Sequence, residues 1–128
     1  MKSYETAKNI IDGIESLIEA SHDMAKEKGW WDNEDVSPRS IGDQFSNFHS
    51  ELSEAWEEYR NHGIHGDGGD KVIYTVDGKP EGLVVELADC LIRIFDTCGR
   101  YNLPLADALI LKLTYNKTRT HRHGGKLA

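Results

Sequence analysis

Two pairs of acidic residues are the part of this sequence best suited to chemistry. Glu51 and Glu54 form the first pair, and Glu86 and Asp89 form the second. Each pair is separated by three positions within a stretch that favours helix, and residues three apart on an α-helix project from the same face. Four carboxylates converging from two helices would form an oxygen-rich site suited to Mg²⁺, with Mn²⁺ as the alternative ion.

The second acidic pair interrupts an unusually apolar stretch. Residues 83–92 are hydrophobic nearly all round except at Glu86 and Asp89. A helix of this kind is usually enclosed by other elements, so its carboxylates must be neutralised, paired or bound to a cation. The alternative is a narrow solvent-exposed edge on which Asp89 pairs with Arg93, an interaction worth roughly 0.2–0.5 kcal/mol.

The first acidic pair, taken alone, also fits a solvated helix face, because further acidic residues follow it. Glu58 shares the face of Glu51 and Glu54 and would be either a further ligand or a bystander. Glu57 points away from that face and is expected to be solvated.

A row of polar residues near the end of the chain could bind an anion. Lys112, Asn116 and Arg119 are spaced i, i+4 and i+7, so they share one helix face. Such a row could hold phosphate oxygens across a cleft from a carboxylate-bound metal. The alternative is a cationic last turn that complements the helix dipole. The basic tail 121–126, which ends in Lys126, would either extend the anion site or be a disordered segment.

The apolar spacing predicts four helices that position these side chains. They span 3–28, 40–62, 81–98 and, from a start at 102–104, to about 118. Gly99 is expected to end the third helix. The Gly-rich and β-prone stretch 63–80 predicts a short strand or hairpin, with a turn at Asp77 and Gly78. We therefore predict an all-α fold of the four-helix-bundle type, a single domain over 1–128, with a short β-prone insert between helices two and three.

The composition restricts the class of partner. The net charge of −7 disfavours non-specific binding to duplex nucleic acid. The apolar runs are too short to span a membrane, and the first residues lack the apolar core of a signal peptide. Cys90 and Cys98 lie eight positions apart on one predicted helix, about 12 Å of rise, which is too far for a disulfide. A cytoplasmic protein with reduced thiols is expected.

Three motifs, taken in order, resemble a known family. They are E-L-S-E at 51–54, E-L-A-D at 86–89 and K-x-x-x-N-x-x-R at 112–119. In this order the chain resembles the MazG-like, all-α nucleoside triphosphate pyrophosphohydrolases of phages and bacteria. Surrounding stretches such as 29–32 and 79–82 are also similar. The chain departs from the family at Ser50, where a further Glu is common, and in the long insert between the acidic pairs.

The resemblance implies an activity and a role for each site residue. A (deoxy)nucleoside triphosphate would be hydrolysed to the monophosphate and pyrophosphate, as a metal-activated water attacks the α-phosphorus. The four acidic residues of the two pairs would bind the metal and carry out catalysis. Lys112 and Arg119 would steady charge on the β- and γ-phosphates, and Asn116 would hydrogen-bond a phosphate or sugar oxygen.

Further expectations and alternatives accompany this reading. Gln44 and Asn47 precede Glu51 by one to two turns on about the same face and would either contact the base or sugar or be exposed polar residues. By resemblance the assembly would be a homodimer or homotetramer with sites near subunit interfaces. An alternative substrate for the same site is a nucleoside diphosphate or a nucleotide-like alarmone.

An alternative without catalysis is that the chain is a helical dimerisation module whose acidic clusters are solvated.

Overall fold

Four helices and one small antiparallel hairpin make up the part of the chain that the structure, a computed structural model, describes: residues 3–32 and 41–119. The elements in chain order are α1 (Tyr4–Glu27), α2 (Ile41–His62), β1 (Tyr74–Val76), β2 (Lys79–Glu81), α3 (Leu83–Tyr101) and α4 (Leu105–Thr118). The prediction of an all-α fold with a short β insert is confirmed. Lys126 and the basic tail lie outside the described residues.

Helix α3 lies in the middle of the molecule. It packs against α2 on one side and α1 on the other, while α4 packs against α1. The buried apolar side chains are mostly small, and they include Ala25, Ala55 and Cys90. Small residues let helix backbones approach closely. No helix within 3–32 and 41–119 has the length and apolar character needed to cross a membrane.

The third helix continues past the residue predicted to end it. Gly99 lies inside α3, where an added Cβ would come 2.8 Å from the Cβ of His22 on α1. The glycine therefore serves the close approach of two helices rather than a helix stop. Asn102 instead ends α3 in a left-handed conformation with φ 52°, and its N–H bonds to carbonyls of the last turn. The predicted boundary at 98 was wrong for this reason.

A buried aspartate ties the segment after α1 to the central helix. Asp96 on α3 is 1% exposed. Its Oδ1 lies 2.8 Å from His22 Nδ1 and accepts a hydrogen bond of 3.0 Å from Trp31 Nε1. A buried carboxylate needs hydrogen-bond donors to replace water, and Asp96 has two of them. The cluster fixes α1 against α3 on the side opposite α2.

The insert forms a tight hairpin that ends next to α3. Val76 pairs with Lys79 around a turn at Asp77 and Gly78, which both have positive φ, as a two-residue hairpin turn requires. Pro80, the last residue of the predicted β-prone insert, lies in β2 opposite Thr75. A two-stranded ribbon has edges on which proline is tolerated.

The start of α3 is fixed by a second glycine. Gly82 has φ 124°, and a Cβ at this position would collide with the backbone carbonyl of Val72. The segment that leads into β1 therefore packs directly against the residue that precedes α3. The helix predicted from 81 begins at Leu83. This arrangement places β2 beside the first turn of the helix that carries Glu86.

A candidate metal centre between the second and third helices

The structure brings three of the four predicted acidic residues together. Glu51 and Glu54 on α2 and Glu86 on α3 each offer a carboxylate oxygen, and these oxygens all lie within 4.8 Å of one another. Oxygens that share one octahedral Mg²⁺ are separated by about 3–4 Å, given Mg–O distances near 2.1 Å. The three carboxylates are therefore spaced to share one ion after small side-chain adjustments.

Two of these carboxylates are buried and one is at the surface. Glu51 is 8% exposed and Glu86 is 7% exposed, whereas Glu54 is exposed. Glu51 Oε1 accepts a hydrogen bond of 2.9 Å from Arg93 Nε on α3. Glu51 Oε2 is buried and has no hydrogen-bond partner within the described part of the chain. A buried carboxylate oxygen without a partner is costly, so this atom is a candidate cation ligand.

The carboxylates of the cluster lie close together and repel one another. Burial, a hydrogen bond with Glu54 and the neighbouring carboxylates raise the pKa of Glu86 to about 8. Partial burial and the charge of Glu51 also raise the pKa of Asp89. Both shifts favour the protonated acids. A divalent cation would reverse this balance, because it stabilises the ionised carboxylates.

Asp89 lies beside the cluster rather than within it. It is exposed, one turn after Glu86 on α3, and it is close enough for the charge of Glu51 to affect its pKa. Its oxygens are not among the three that lie within 4.8 Å. Asp89 can join the centre as a fourth acidic group only if side chains rearrange.

Arg93 has a different partner from the one that sequence spacing suggested. It was considered as an i, i+4 partner of Asp89, but its Nε donates to Glu51, which lies 42 positions earlier in the chain. The guanidinium also lies over the ring of Trp30, 5.3 Å from the centroid. Arg93 thus orients Glu51, and no local spacing could have indicated this contact across helices.

Glu58 contributes a further carboxylate close to the cluster. Its Oε1 accepts a hydrogen bond of 2.8 Å from the Tyr74 hydroxyl on β1, and this bond is the main cause that raises the pKa of Tyr74 to about 12. Its Oε2 is buried and lies 3.9 Å from His62 Nε2, beyond hydrogen-bond distance. A cavity of about 220 Å³ is lined by Glu58 together with Glu54 and Glu86 of the acidic cluster. The described residues that line it are Glu54, Glu57, Glu58, Asn61, Lys79, Glu81 and Glu86.

The cationic row predicted to face the acids lies elsewhere in the single chain. Lys112, Asn116 and Arg119 are all exposed, and α4 packs against α1 rather than against the acidic helices. Lys112 Nζ lies 4.9 Å, and the Arg119 guanidinium 5.8 Å, from the centroid of the Tyr115 ring. Within the described part of one chain, neither the acidic cluster nor its cavity includes a residue of α4.

Gln44 is buried rather than exposed. It is 1% exposed, and its Oε1 accepts a hydrogen bond of 3.1 Å from the Thr97 hydroxyl on α3. Its Nε2 is buried and lacks a hydrogen-bond partner among the described residues. Asn47 is half-buried. The exposed-polar alternative is therefore wrong for Gln44, and a contact with a base or sugar is untested for both residues.

Comparisons with known proteins add no relative. No family model matches the chain, and neither a curated protein nor a solved structure matches it.

Proposed function

We propose that this protein is a Mg²⁺-dependent hydrolase that cleaves a (deoxy)nucleoside triphosphate to the monophosphate and pyrophosphate. One observation carries the proposal: Glu51, Glu54 and Glu86 present oxygens within 4.8 Å of one another, and Glu51 Oε2 is buried without a hydrogen-bond partner within the described residues. The resemblance of the ordered motifs to MazG-like pyrophosphohydrolases supports the same activity. We place the activity in the cytoplasm, where buried thiols such as Cys90 stay reduced.

The residues around the cluster have separate tasks in this reaction. A bound Mg²⁺ supplies positive charge to the phosphate oxygens and makes water more acidic. Glu51, Glu54 and Glu86 would hold the ion, and Arg93 keeps Glu51 in place through its hydrogen bond. Water adds to the α-phosphorus, the bond to the β-phosphate oxygen breaks, and pyrophosphate leaves in line. Glu54, the exposed carboxylate of the three, is best placed to take the proton from the water.

A substrate panel tests the activity. With millimolar Mg²⁺ we expect pyrophosphate release from at least one of the eight common ribo- and deoxyribonucleoside triphosphates, and no release with excess chelator. Product analysis separates pyrophosphate from single phosphates, and nucleoside diphosphates and alarmones extend the panel. The absence of any metal-dependent release would contradict the proposal and favour the non-enzymatic dimerisation module.

We further propose that a second copy of the chain covers an apolar face formed by α2 and α3. Phe45, Leu52 and Trp56 share one face of α2 and are 54%, 49% and 59% exposed. Leu91 on the neighbouring α3 is 51% exposed. An exposed apolar stripe with helical spacing, such as the one on α2, is typical of a surface that a partner buries. A second copy is also the means by which the α4 row could approach an acidic cluster, as the resemblance to dimeric enzymes implies.

Sedimentation measurements test this interface. We expect a mass of two or four times 14.4 kDa for the wild-type chain. Trp56→Glu should shift the protein toward monomer, because a charge in the middle of an apolar interface lacks a partner. Tyr4→Ser, at a residue 84% exposed on α1, is the matched control and should leave the mass unchanged. An unaltered mass for Trp56→Glu would remove this face from the interface.

A further inference from the structure

The cavity beside the acidic cluster has one cationic side chain among the described residues that line it. Lys79 on β2 lines this space together with Glu54 and Glu86. Its Nζ lies 3.5 Å from Glu81 Oε1, and its side chain is 77% exposed. The charge of Glu81, followed by their hydrogen bond, raises the pKa of Lys79, so the ammonium stays charged. The sequence motifs gave no role to this lysine.

The hairpin holds Lys79 at a fixed place relative to α2. Lys79 pairs with Val76 at the end of the ribbon, directly after the turn. The Tyr74 hydroxyl donates to Glu58 on α2, and the Tyr74 and His62 rings meet edge to face at 5.9 Å between centroids. Gly82 lets the hairpin base lie against the start of α3. The hairpin that carries Lys79 thus contacts both helices that carry the carboxylates, while the Lys79 side chain is exposed.

This placement suits a ligand that carries several negative charges. The carboxylates repel an anion unless a divalent cation offsets them, and Lys79 then adds a second positive charge on the hairpin side of the cavity. A lysine ammonium is a compact charge that binds phosphate without a fixed geometry. The Asn61 amide on α2 lines the same cavity and offers a neutral donor. Lys79 is exposed and only Glu81 is half-buried, so the ion pair contributes little to folding and breaking it should not disturb the hairpin.

We propose that Lys79 binds the β- and γ-phosphates of the substrate and is the residue through which the hairpin contributes to phosphate binding. This inference rests on the proposed function, because it assumes a phosphate chain next to the metal centre. It gives the hairpin of the same chain a phosphate contact in addition to the one that the resemblance implies for Lys112 and Arg119 on α4. The insert is then part of the substrate site.

The test compares Lys79→Gln with wild type in two measurements. Calorimetry with inorganic tripolyphosphate in excess Mg²⁺ should show binding weakened roughly 10- to 100-fold, the range for one charged hydrogen bond. Steady-state hydrolysis should show a kcat/KM lowered by the same order. Lys79→Arg should retain most of both. Mg²⁺ binding in the absence of phosphate should remain at least as strong, because the carboxylates are unchanged.

Lys71→Gln is the matched control, since it removes the same charge from the same insert. Lys71 Nζ lies 4.3 Å from the Tyr74 ring centroid, and Lys71 is not among the residues that line the cavity. Three results would overturn the inference. They are tripolyphosphate binding by Lys79→Gln that is as tight as that of wild type, the same loss of affinity in both variants, and no binding by the wild type. Wild-type protein that binds tripolyphosphate through Lys79 but releases no pyrophosphate would contradict the proposed function alone. Hydrolysis unaffected by Lys79→Gln would contradict this inference alone.

Discussion

Glu86→Gln should abolish metal-dependent pyrophosphate release and leave the protein folded. The substitution removes one of the three carboxylates whose oxygens lie within 4.8 Å of one another. Without it the centre loses both charge and a ligand, and we expect kcat/KM to fall at least about 1,000-fold, as when a main electrostatic element of an active site is lost. Burial and the neighbouring acids already favour the neutral form of Glu86, so a neutral amide of the same shape should be accepted. Initial rates at saturating Mg²⁺, with circular dichroism for folding, measure both effects.

Two further variants serve as comparisons for Glu86→Gln. Asp89→Asn should have a smaller effect than Glu86→Gln, because the Asp89 oxygens lie outside the close group of three. Asp12→Asn removes an acidic group that pairs with Lys8 on the exposed surface of α1, and it should leave the rate unchanged. Full activity of Glu86→Gln in Mg²⁺ would remove the cluster from the mechanism.

The metal-free protein should lose stability as the pH rises, and Mg²⁺ should restore it. The pKa of Glu86 is about 8 in the folded protein and 4.5 as its ordinary value. Between these values the folded state binds more protons than the unfolded state. Stability contributed by Glu86 is therefore complete below pH 4.5 and declines up to about pH 8. The described charged and titratable groups that interact with Glu86 are Glu51, Glu54, Tyr74, Lys79 and Asp89, and Glu57, Glu58 and Glu81 line the same cavity.

Thermal melts across this pH range, with chelator and with Mg²⁺, provide the measurement. With Mg²⁺ at a hundred times its dissociation constant, mass action adds about 2.7 kcal/mol, or roughly 10 °C in Tm for a domain of this size. Glu86→Gln should flatten the pH dependence in chelator and raise the Tm near pH 8 above that of wild type. Calorimetry should show that Mg²⁺ binding releases protons below that pH. A wild-type Tm that is independent of both pH and Mg²⁺ would contradict a preformed, repulsive cluster.

Features of the site that depend on local spacing could be predicted from the sequence. The i, i+3 acidic pairs needed only helical periodicity and two helices in contact, and the order of motifs supplied a candidate chemistry. The β-prone insert with its Asp-Gly turn predicted the hairpin. Two predicted boundaries of helix three were wrong. Gly99 indicated a helix end but allows the close contact with His22, and Glu81, the predicted first residue, lies in β2.

Features that depend on contacts between distant residues could not be predicted. Arg93 bonds to Glu51 across two helices, and Gln44 is buried by its bond to Thr97. Lys79 belongs to the cavity only because the hairpin packs against α2 and α3. The predicted row of Lys112, Asn116 and Arg119 shows the reverse case: its spacing on the helix holds, but α4 packs against α1, away from the acids. Spacing determines which residues share a face, but not which element that face contacts.

The hairpin also joins the two helices of this centre within one contiguous part of the chain. All three clustered carboxylates, together with Arg93 and Lys79, lie within the contiguous helix–hairpin–helix segment 41–101. All of these residues precede α4 in the chain, although Glu51 and Arg93 are 42 positions apart. Every carboxylate of the proposed metal centre is therefore present in the chain before α4 is synthesised.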